Sequence, residues 1–576
     1  MSQQACLVRR SVPIHGPWPA NVPVPLQRIY ASRGVLGPDD AELKLARLLP
    51  PDGMGNMQVA VSLLASAIAS RRHIVIVGDF DCDGATGTAL AVRGLRMLGA
   101  TRVSYQVPHR ISHGYGLSPA LVEVMAQLEP DLLVTVDNGI ACHAGVAAAK
   151  ARGWQVLVTD HHLPGPQLPS ADVIINPNLD GDAFPSKALA GVGVMFYLLL
   201  ALRRHLREAG LLAEPEPDLA SLLDLVAVGT VADLVPLDYN NRLLVAAGLR
   251  RLRQGQCQPG LRALAHVSGR QLEKLNANDI GFAIAPRLNA AGRLQDMALG
   301  IECLLSDDAT QASELAAVLD QINAERRSRQ QEMVEDADLL VERLPLGDAA
   351  LPAAVSLFDA GWHPGVIGLV ASRLKDRLHR PVIAFAPAEA GSDLLRGSAR
   401  SIAGFHIRDA LAAVDARHPG LIERFGGHAM AAGLSLRLEH LEAFRIAMAS
   451  YALTTLAPEA LNAQLLTDGP LAAGEIERSL AESLQQAGPW GQGFAEPLFD
   501  NLFHVREWRV LAERHLKFVL EHEDGGPPIS AIHFGGWEGN APPARIHAAY
   551  QLDIDDYRGR NGVQLLIRQW RSAELV

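Results

Sequence analysis

A chain of 576 residues, 48% hydrophobic and 20% charged, is long enough for two to four folded domains and excludes a disordered or low-complexity protein. Its start, MSQQACLVRRSVPIHG, has no apolar signal stretch, and its longest apolar run, Val192 to Leu202, is too short to span a bilayer, so a cytoplasmic protein is expected. A formal charge of −11 excludes a chain basic throughout, although phosphate binding depends on a local groove rather than on the sum.

In chain order, residues 1–50 are rich in proline, lack periodicity and read as an irregular lead-in. A strand–helix alternation then begins. His73–Gly78, Asp131–Val136, Trp154–Thr159 and Ala171–Asn176 are short continuous apolar runs, and helical patterns such as Ala85–Gly99 and Ser118–Gln127 separate most of them. That alternation predicts a parallel sheet covered on both faces. Helical stretches follow at Ser186–Glu208 and Asp218–Ala232. Ala309–Arg343 reads as one long charged helix free of proline and glycine, a connector between domains. A second α/β unit begins near Ala353. After Pro458 short alternating segments, among them LFDNLFHVREWRVL and VQLLIRQW, suit a small antiparallel barrel. The expected division is a lead-in (1–50), a catalytic domain (51–305), a connector helix (306–345), a second α/β domain (346–457) and a barrel (458–576).

The densest chemistry is GDFDCDGATG, which sets Asp79, Asp81 and Asp83 just past the first apolar run. Aspartates so close repel one another unless cations neutralise them. An EF-hand loop counted from Asp79 needs Glu at its twelfth position and has Leu90 there, so that reading fails. VDNG places Asp137 after the second run, and TDHH places Asp160, His161 and His162 after the third. VGTVADLVPL adds Asp233 to an otherwise apolar segment. Carboxyl ends of parallel strands are where open α/β sheets build their sites. Oxygen ligands with one or two imidazoles suit Mn²⁺ or Mg²⁺ better than Zn²⁺, and the five scattered cysteines (Cys6, Cys82, Cys142, Cys257, Cys303) form no CxxC pair.

GDFDCDG, VDNG, DHH and GTVAD in this order resemble motifs one to four of the DHH phosphoesterases, and the resemblance extends over most of the chain. It implies a hydrolase with two cations, Mn²⁺ or Mg²⁺, in one site. Asp81 and Asp137 would hold one cation with Asp79 nearby. Asp83, Asp137, His161 and Asp233 would hold the other, with Asp137 bridging. His162 would contact the scissile phosphate or the attacking water, and Asp160 would orient the histidines. Phosphatase members carry a histidine four residues before the Asp81 position, where Val77 stands here.

The resemblance is strongest to the branch that digests single-stranded DNA from its 5′ end, releasing 5′-mononucleotides in recombination and repair. APRLNAAGRL, read as a glycine- and alanine-lined loop, would offer Arg287, Asn289 and Arg293 to the strand. RGSARS and FGGHAMAAG resemble the substrate motifs of the DHH-associated domain, with Arg400, Ser401, Gly427 and His428 meeting phosphates. The barrel would be an oligonucleotide-binding fold, with GPWGQGFAEPLF at its start and Trp490, Phe494, Phe518 and Phe534 as aromatic candidates. Single-strand binding protein and a RecQ-like helicase are partners the resemblance implies. A small-nucleotide phosphatase, an RNA-directed relative and a non-catalytic scaffold are the alternatives.

Overall fold

The computed structural model describes residues 5–110, 113–342, 351–556 and 562–573. The chain forms two compact units. One contains residues 12–323 and 479–497; the other contains residues 1–11, 324–478 and 498–576.

The lead-in is more ordered than its composition predicts. Cys6–Arg9 forms β1, which runs parallel to a strand near Gln464, and Val24–Ala31 is a helix with proline in its first turn. A four-residue strand whose partner lies far along the chain leaves no local periodic signal.

In the first unit, Ile74–Val77 (β2), Val103–Gln106 (β3), Leu132–Val136 (β4), Gln155–Thr159 (β5) and Val173–Ile175 (β6) form an all-parallel sheet in the order β3-β2-β4-β5-β6. Four of these match the apolar runs of the sequence. β3 (VSYQ) escaped because only Val103 of the strand is buried, as befits a sheet edge. β2 and β4 are buried at every position, so continuous apolar character rather than alternation marks them. Helix Cys82–Met97 follows β2 and packs so closely that a Cβ on Gly87 would lie 2.5 Å from the Val136 side chain. Helices Gly191–Glu208 and Leu223–Ala232 cover it.

APRLNAAGRL is a helix (Ala285–Leu294), not the loop expected. Pro286 sits in its first turn, where no N–H is needed, and the alanines favour helix. Residues 479–497 belong to this unit rather than to the barrel. Trp490 stacks on Phe494 at 5.1 Å, the Arg242 guanidinium lies 4.3 Å from the Phe494 ring, and Leu237 N–H donates to Gln492 O at 2.7 Å. GPWGQGFAEPLF therefore packs mainly on the catalytic unit, and its last residue, Phe499, opens the first barrel strand.

The second unit holds two sheets and the barrel. Val355–Phe358 (β7), Val382–Pro387 (β8), Leu394–Arg400 (β9), Arg424–Gly427 (β10) and Ala431–Arg437 (β11) are ordered β10-β11-β9-β8-β7, with only β7 and β8 parallel. Gln464–Thr467 (β12) pairs with β1. Phe499–Leu511 (β13), His515–His522 (β14), Ile529–His533 (β15), Arg545–Asp555 (β16) and Gly562–Ser572 (β17) close into a barrel of order β13-β14-β15-β17-β16. β15 and β17 are parallel, so the barrel is not wholly antiparallel as expected. Phe518 is fully buried within it, whereas Phe534 is exposed. The long helix runs Ala309–Glu342; Ala312, Ala316, Leu319, Ile322, Met333 and Ala337 are buried along it, so it is polar on part of its surface only. Among the described residues no helix is long and apolar enough to cross a membrane.

Candidate metal centre

The sheet order reverses direction between β2 and β4, which opens a crevice at their carboxyl ends. Asp79 lies two residues past β2, Asp137 directly past β4 and Asp160 directly past β5. Asp81 caps the helix that follows β2, its Oδ1 accepting the Gly84 N–H at 3.0 Å. Asp83, inside that helix, is held by two backbone donors at the start of helix Gly191–Glu208: Gly191 N–H at 2.6 Å and Val192 N–H at 3.0 Å. Asp233 sits at the end of helix Leu223–Ala232. The segments approach so closely that a Cβ on Gly191 would lie 2.5 Å from the Asp137 Cβ.

Asp137 turns the chain with φ +63, a conformation aspartate tolerates better than most residues. His161 Nε2 lies 3.0 Å from Asp137 Oδ1 and 3.5 Å from Asp233 Oδ2. Asp160 is saturated with donors. Its Oδ1 accepts from His161 N–H (2.8 Å), His162 N–H (3.1 Å) and His162 Nδ1 (2.7 Å), and its Oδ2 accepts from Ile140 N–H (2.9 Å).

Three sets of side chains bring one donor atom each within 4.8 Å of one another: Asp79, Asp81 and Asp137; Asp83, His161 and Asp233; Asp137, His161 and His162. Such crowding raises the carboxyl pKa values. Burial and the charge of Asp81 push Asp79 well above the ordinary carboxylate range, and the same causes lift Asp83 to about 7. Burial and Asp83 push up both Asp137 and Asp233. Asp160 goes the other way: burial opposes ionisation, but the bond and charge of His162 outweigh it, and His162 is raised in turn despite its burial. Asp79 Oδ1 is buried and has no hydrogen-bond partner among the described residues. Mutually repelling carboxylates, an orphaned buried oxygen and one or two imidazoles form a donor set that fits a hard divalent cation.

Helix Ala285–Leu294 braces this loop. Asn289 Oδ1 accepts the Cys82 N–H at 2.9 Å, and Gly292 presses on Phe80 so closely that a Cβ would lie 1.8 Å from the Phe80 carbonyl oxygen. Gly292→Ala is expected to cost about 1–3 kcal/mol in stability and to weaken Mn²⁺ binding. Thermal melts with and without Mn²⁺ check it; an unchanged melt in both conditions would show the brace to be unimportant. Arg287 is buried, donating to Ala283 O at 2.5 Å and pairing with Asp320 at 2.7 Å, so it faces the long helix rather than a loop surface. Arg293 lies half-buried in the last turn of its helix.

In the second unit, Arg400 ends β9 and donates to Ser398 Oγ (3.1 Å) and Ala399 O (2.9 Å). Ser401 is buried and donates its hydroxyl to Phe405 O at 2.6 Å. Gly427 (φ +140) and exposed His428 shape the turn from β10 to β11, where a Cβ on Gly427 would lie 2.4 Å from Ala431 O.

The structure adds neighbours that the sequence reading missed. Tyr115 donates its hydroxyl to Asp137 O at 3.0 Å and sets its ring edge-on to His162. The Arg110 guanidinium lies 3.8 Å from the centre of the Phe80 ring, and its Nε donates to Gly292 O at 3.2 Å. Both follow β3, the strand that polar VSYQ concealed. Asn176 and Asn178, just past β6, donate to His162 O (2.8 Å) and His161 O (2.6 Å) and fix the histidine turn. An Asn-Pro-Asn directly after a strand was the available signal.

Comparison with known proteins agrees with this architecture. Residues 73–230 match the DHH family, N-terminal domain; 350–453 match the DHHA1 domain; 467–569 match the RecJ OB domain. The single-stranded-DNA-specific exonuclease RecJ of Dickeya dadantii is 51% identical over 95% of this chain and 96% of its own length. The protein of that name from Escherichia coli is 47% identical over 98% and 99%. The crystal structure of RecJ in complex with Mn²⁺ from Thermus thermophilus superposes with a TM-score of 0.79 at 32% identity, covering 95% of this chain and 76% of that one. With the motifs, the three domains and near full-length identity in agreement, the chain belongs to the RecJ family of DHH phosphoesterases.

Proposed function

We propose that this protein is a divalent-metal-dependent exonuclease that digests single-stranded DNA from its 5′ end, releases 5′-mononucleotides and serves recombination and repair in the cytoplasm. The observation that carries the reading is the crowded carboxylate and histidine cluster at the carboxyl ends of β2, β4 and β5, in a chain whose relatives of nearly equal length are named single-stranded-DNA-specific exonucleases. Two Mn²⁺ or Mg²⁺ ions suit it, one toward Asp79, Asp81 and Asp137, the other toward Asp83, Asp137, His161 and Asp233. Bound there, they would supply positive charge to the phosphoryl oxygens and acidify water at neutral pH.

The rest falls to the side chains. Asp137 stands in both ligand sets and would fix their spacing. Asp160 holds His162 through Nδ1 and the Tyr115 hydroxyl lies 3.4 Å from its Nε2, so the ring is positioned to give or hold a proton at a phosphoryl oxygen or the attacking water. Strand contacts are proposed for Arg293 in this unit and for Arg400, Ser401, Gly427 and His428 in the other; Asn289 supports the loop from behind, and Arg287 ties its helix to Asp320 of the long helix. The barrel would grip single strands, as such folds do through a basic groove and exposed rings. Single-strand binding protein and a RecQ-like helicase are the proposed partners.

The test uses Mn²⁺ or Mg²⁺ and strands labelled at either end. Prompt release of a labelled mononucleotide from the 5′-labelled strand is expected, with blunt duplex resistant and EDTA abolishing the reaction. No digestion of any strand under either metal would overturn the reading. A dinucleotide cleaved faster than a long strand would instead favour a small-nucleotide phosphatase.

A further inference from the structure

Helix Leu223–Ala232 ends on Asp233, and the next residue, Leu234, turns the chain with φ +60. In that left-handed region a leucine Cβ crowds the following carbonyl, and glycine is the residue that commonly closes a helix this way. Packing does not offset the strain, because the Leu234 side chain is 69% exposed. Among the described residues its N–H reaches only Val231 O, at 3.4 Å. Strained backbone of this kind clusters at active sites and ligand clamps.

The surroundings suggest its use here. Leu163 directly follows His162 and is 68% exposed. Tyr115, which donates to Asp137 O, is 46% exposed. His161 Nε2 and Asp233 Oδ2, at 3.5 Å, bring the two leucine-bearing segments together. Apolar side chains thus stand in water within one residue of, or in contact with, members of the carboxylate and histidine cluster. A phosphate chain offers them nothing to bury. A nucleoside does, through the faces of its base and sugar.

We infer that Leu234, together with Leu163, contacts the nucleoside flanking the scissile phosphate and so selects nucleotide esters over inorganic phosphates; this rests on the exonuclease reading above. The side chain is kept at the expense of backbone strain that glycine would relieve.

The experiment measures kcat and KM with Mn²⁺ on a 5′-labelled single strand and on strands abasic at the first or second position, together with Tm. For the unaltered enzyme, one abasic position should raise KM by about fivefold. Leu234→Gly should raise KM on the intact strand by a similar factor, lose the abasic penalty and gain in Tm. Leu234→Ala, which keeps the strained backbone, should reproduce the KM effect without the gain in Tm. Leu211→Ala, at an exposed leucine past the far end of helix Gly191–Glu208, should move neither quantity. An active enzyme in which Leu234→Gly and Leu234→Ala keep both the KM and the abasic penalty would overturn the contact alone. An unaltered enzyme that digests no strand would overturn the exonuclease reading and the contact with it.

Discussion

Asp137→Asn is expected to lower kcat by about 10³-fold while raising the Tm of the metal-free protein. Asn keeps the shape of the side chain and, like Asp, tolerates the φ of +63 at this position. What it removes is a charge buried among Asp79, Asp81, Asp83 and Asp233. Because Asp137 belongs to two of the three ligand sets, its loss disturbs both proposed cation positions at once. The pH dependence has a definite sign. The folded-state pKa values of Asp79, Asp83, Asp137 and Asp233 are all raised, Asp83 to about 7. Stability present below the unfolded value of about 4 is therefore lost as pH rises through the folded values. In EDTA the wild-type Tm should fall between about pH 4 and pH 8, saturating Mn²⁺ should cancel the fall, and Asp137→Asn should flatten it. Melting curves across that range, with and without Mn²⁺, make the check. A metal-free Tm that rises with pH would show that the cluster is not held together against its own repulsion.

This cluster was legible in the sequence because its signals are local. A short apolar run followed within two residues by aspartate marks a parallel strand and its carboxyl end together, and β2, β4 and β5 each carry that mark. β3 was not legible: as an edge strand it is too polar, and with it went Arg110 and Tyr115. Asn289 was singled out for its residue type, but its role in holding Cys82 depends on a helix packing against a loop 207 positions away in the chain. The loop reading of APRLNAAGRL failed because its small residues, glycine and alanine, were taken to line a loop. Pro286 instead sits in the first turn of the helix, and Gly292 is needed for close approach to Phe80. β1 was missed in the lead-in because it is organised by a partner strand distant in sequence, which leaves no periodic trace.

Asp160→Asn should lower kcat by about 10²-fold and shift the pH profile, although Asp160 belongs to none of the three ligand sets. Its two oxygens accept four bonds, three from the histidine turn and one from Ile140 N–H. An amide has one acceptor oxygen. If that oxygen faces the histidines, the NH₂ group meets Ile140 N–H; if it faces Ile140, two backbone donors and the His162 ring lose their acceptor. Either arrangement leaves a buried donor unsatisfied, at a cost of about 1–3 kcal/mol. Burial alone would raise the Asp160 pKa, but His162 holds it down, so its contribution is present above the unfolded value of about 4 and is lost as pH falls through the folded one. The Tm deficit of Asp160→Asn should accordingly be full at neutral pH and shrink in acid. His162 is raised by Asp160, so without that charge the kinetic limb set by protonated His162 should move to lower pH. Asp160→Ala would remove the acceptors altogether and should be worse on both counts. An Asp160→Asn enzyme with unchanged kcat and an unmoved pH profile would show that His162 needs no carboxylate behind it, and proton handling would then have to be sought at another residue of the cluster.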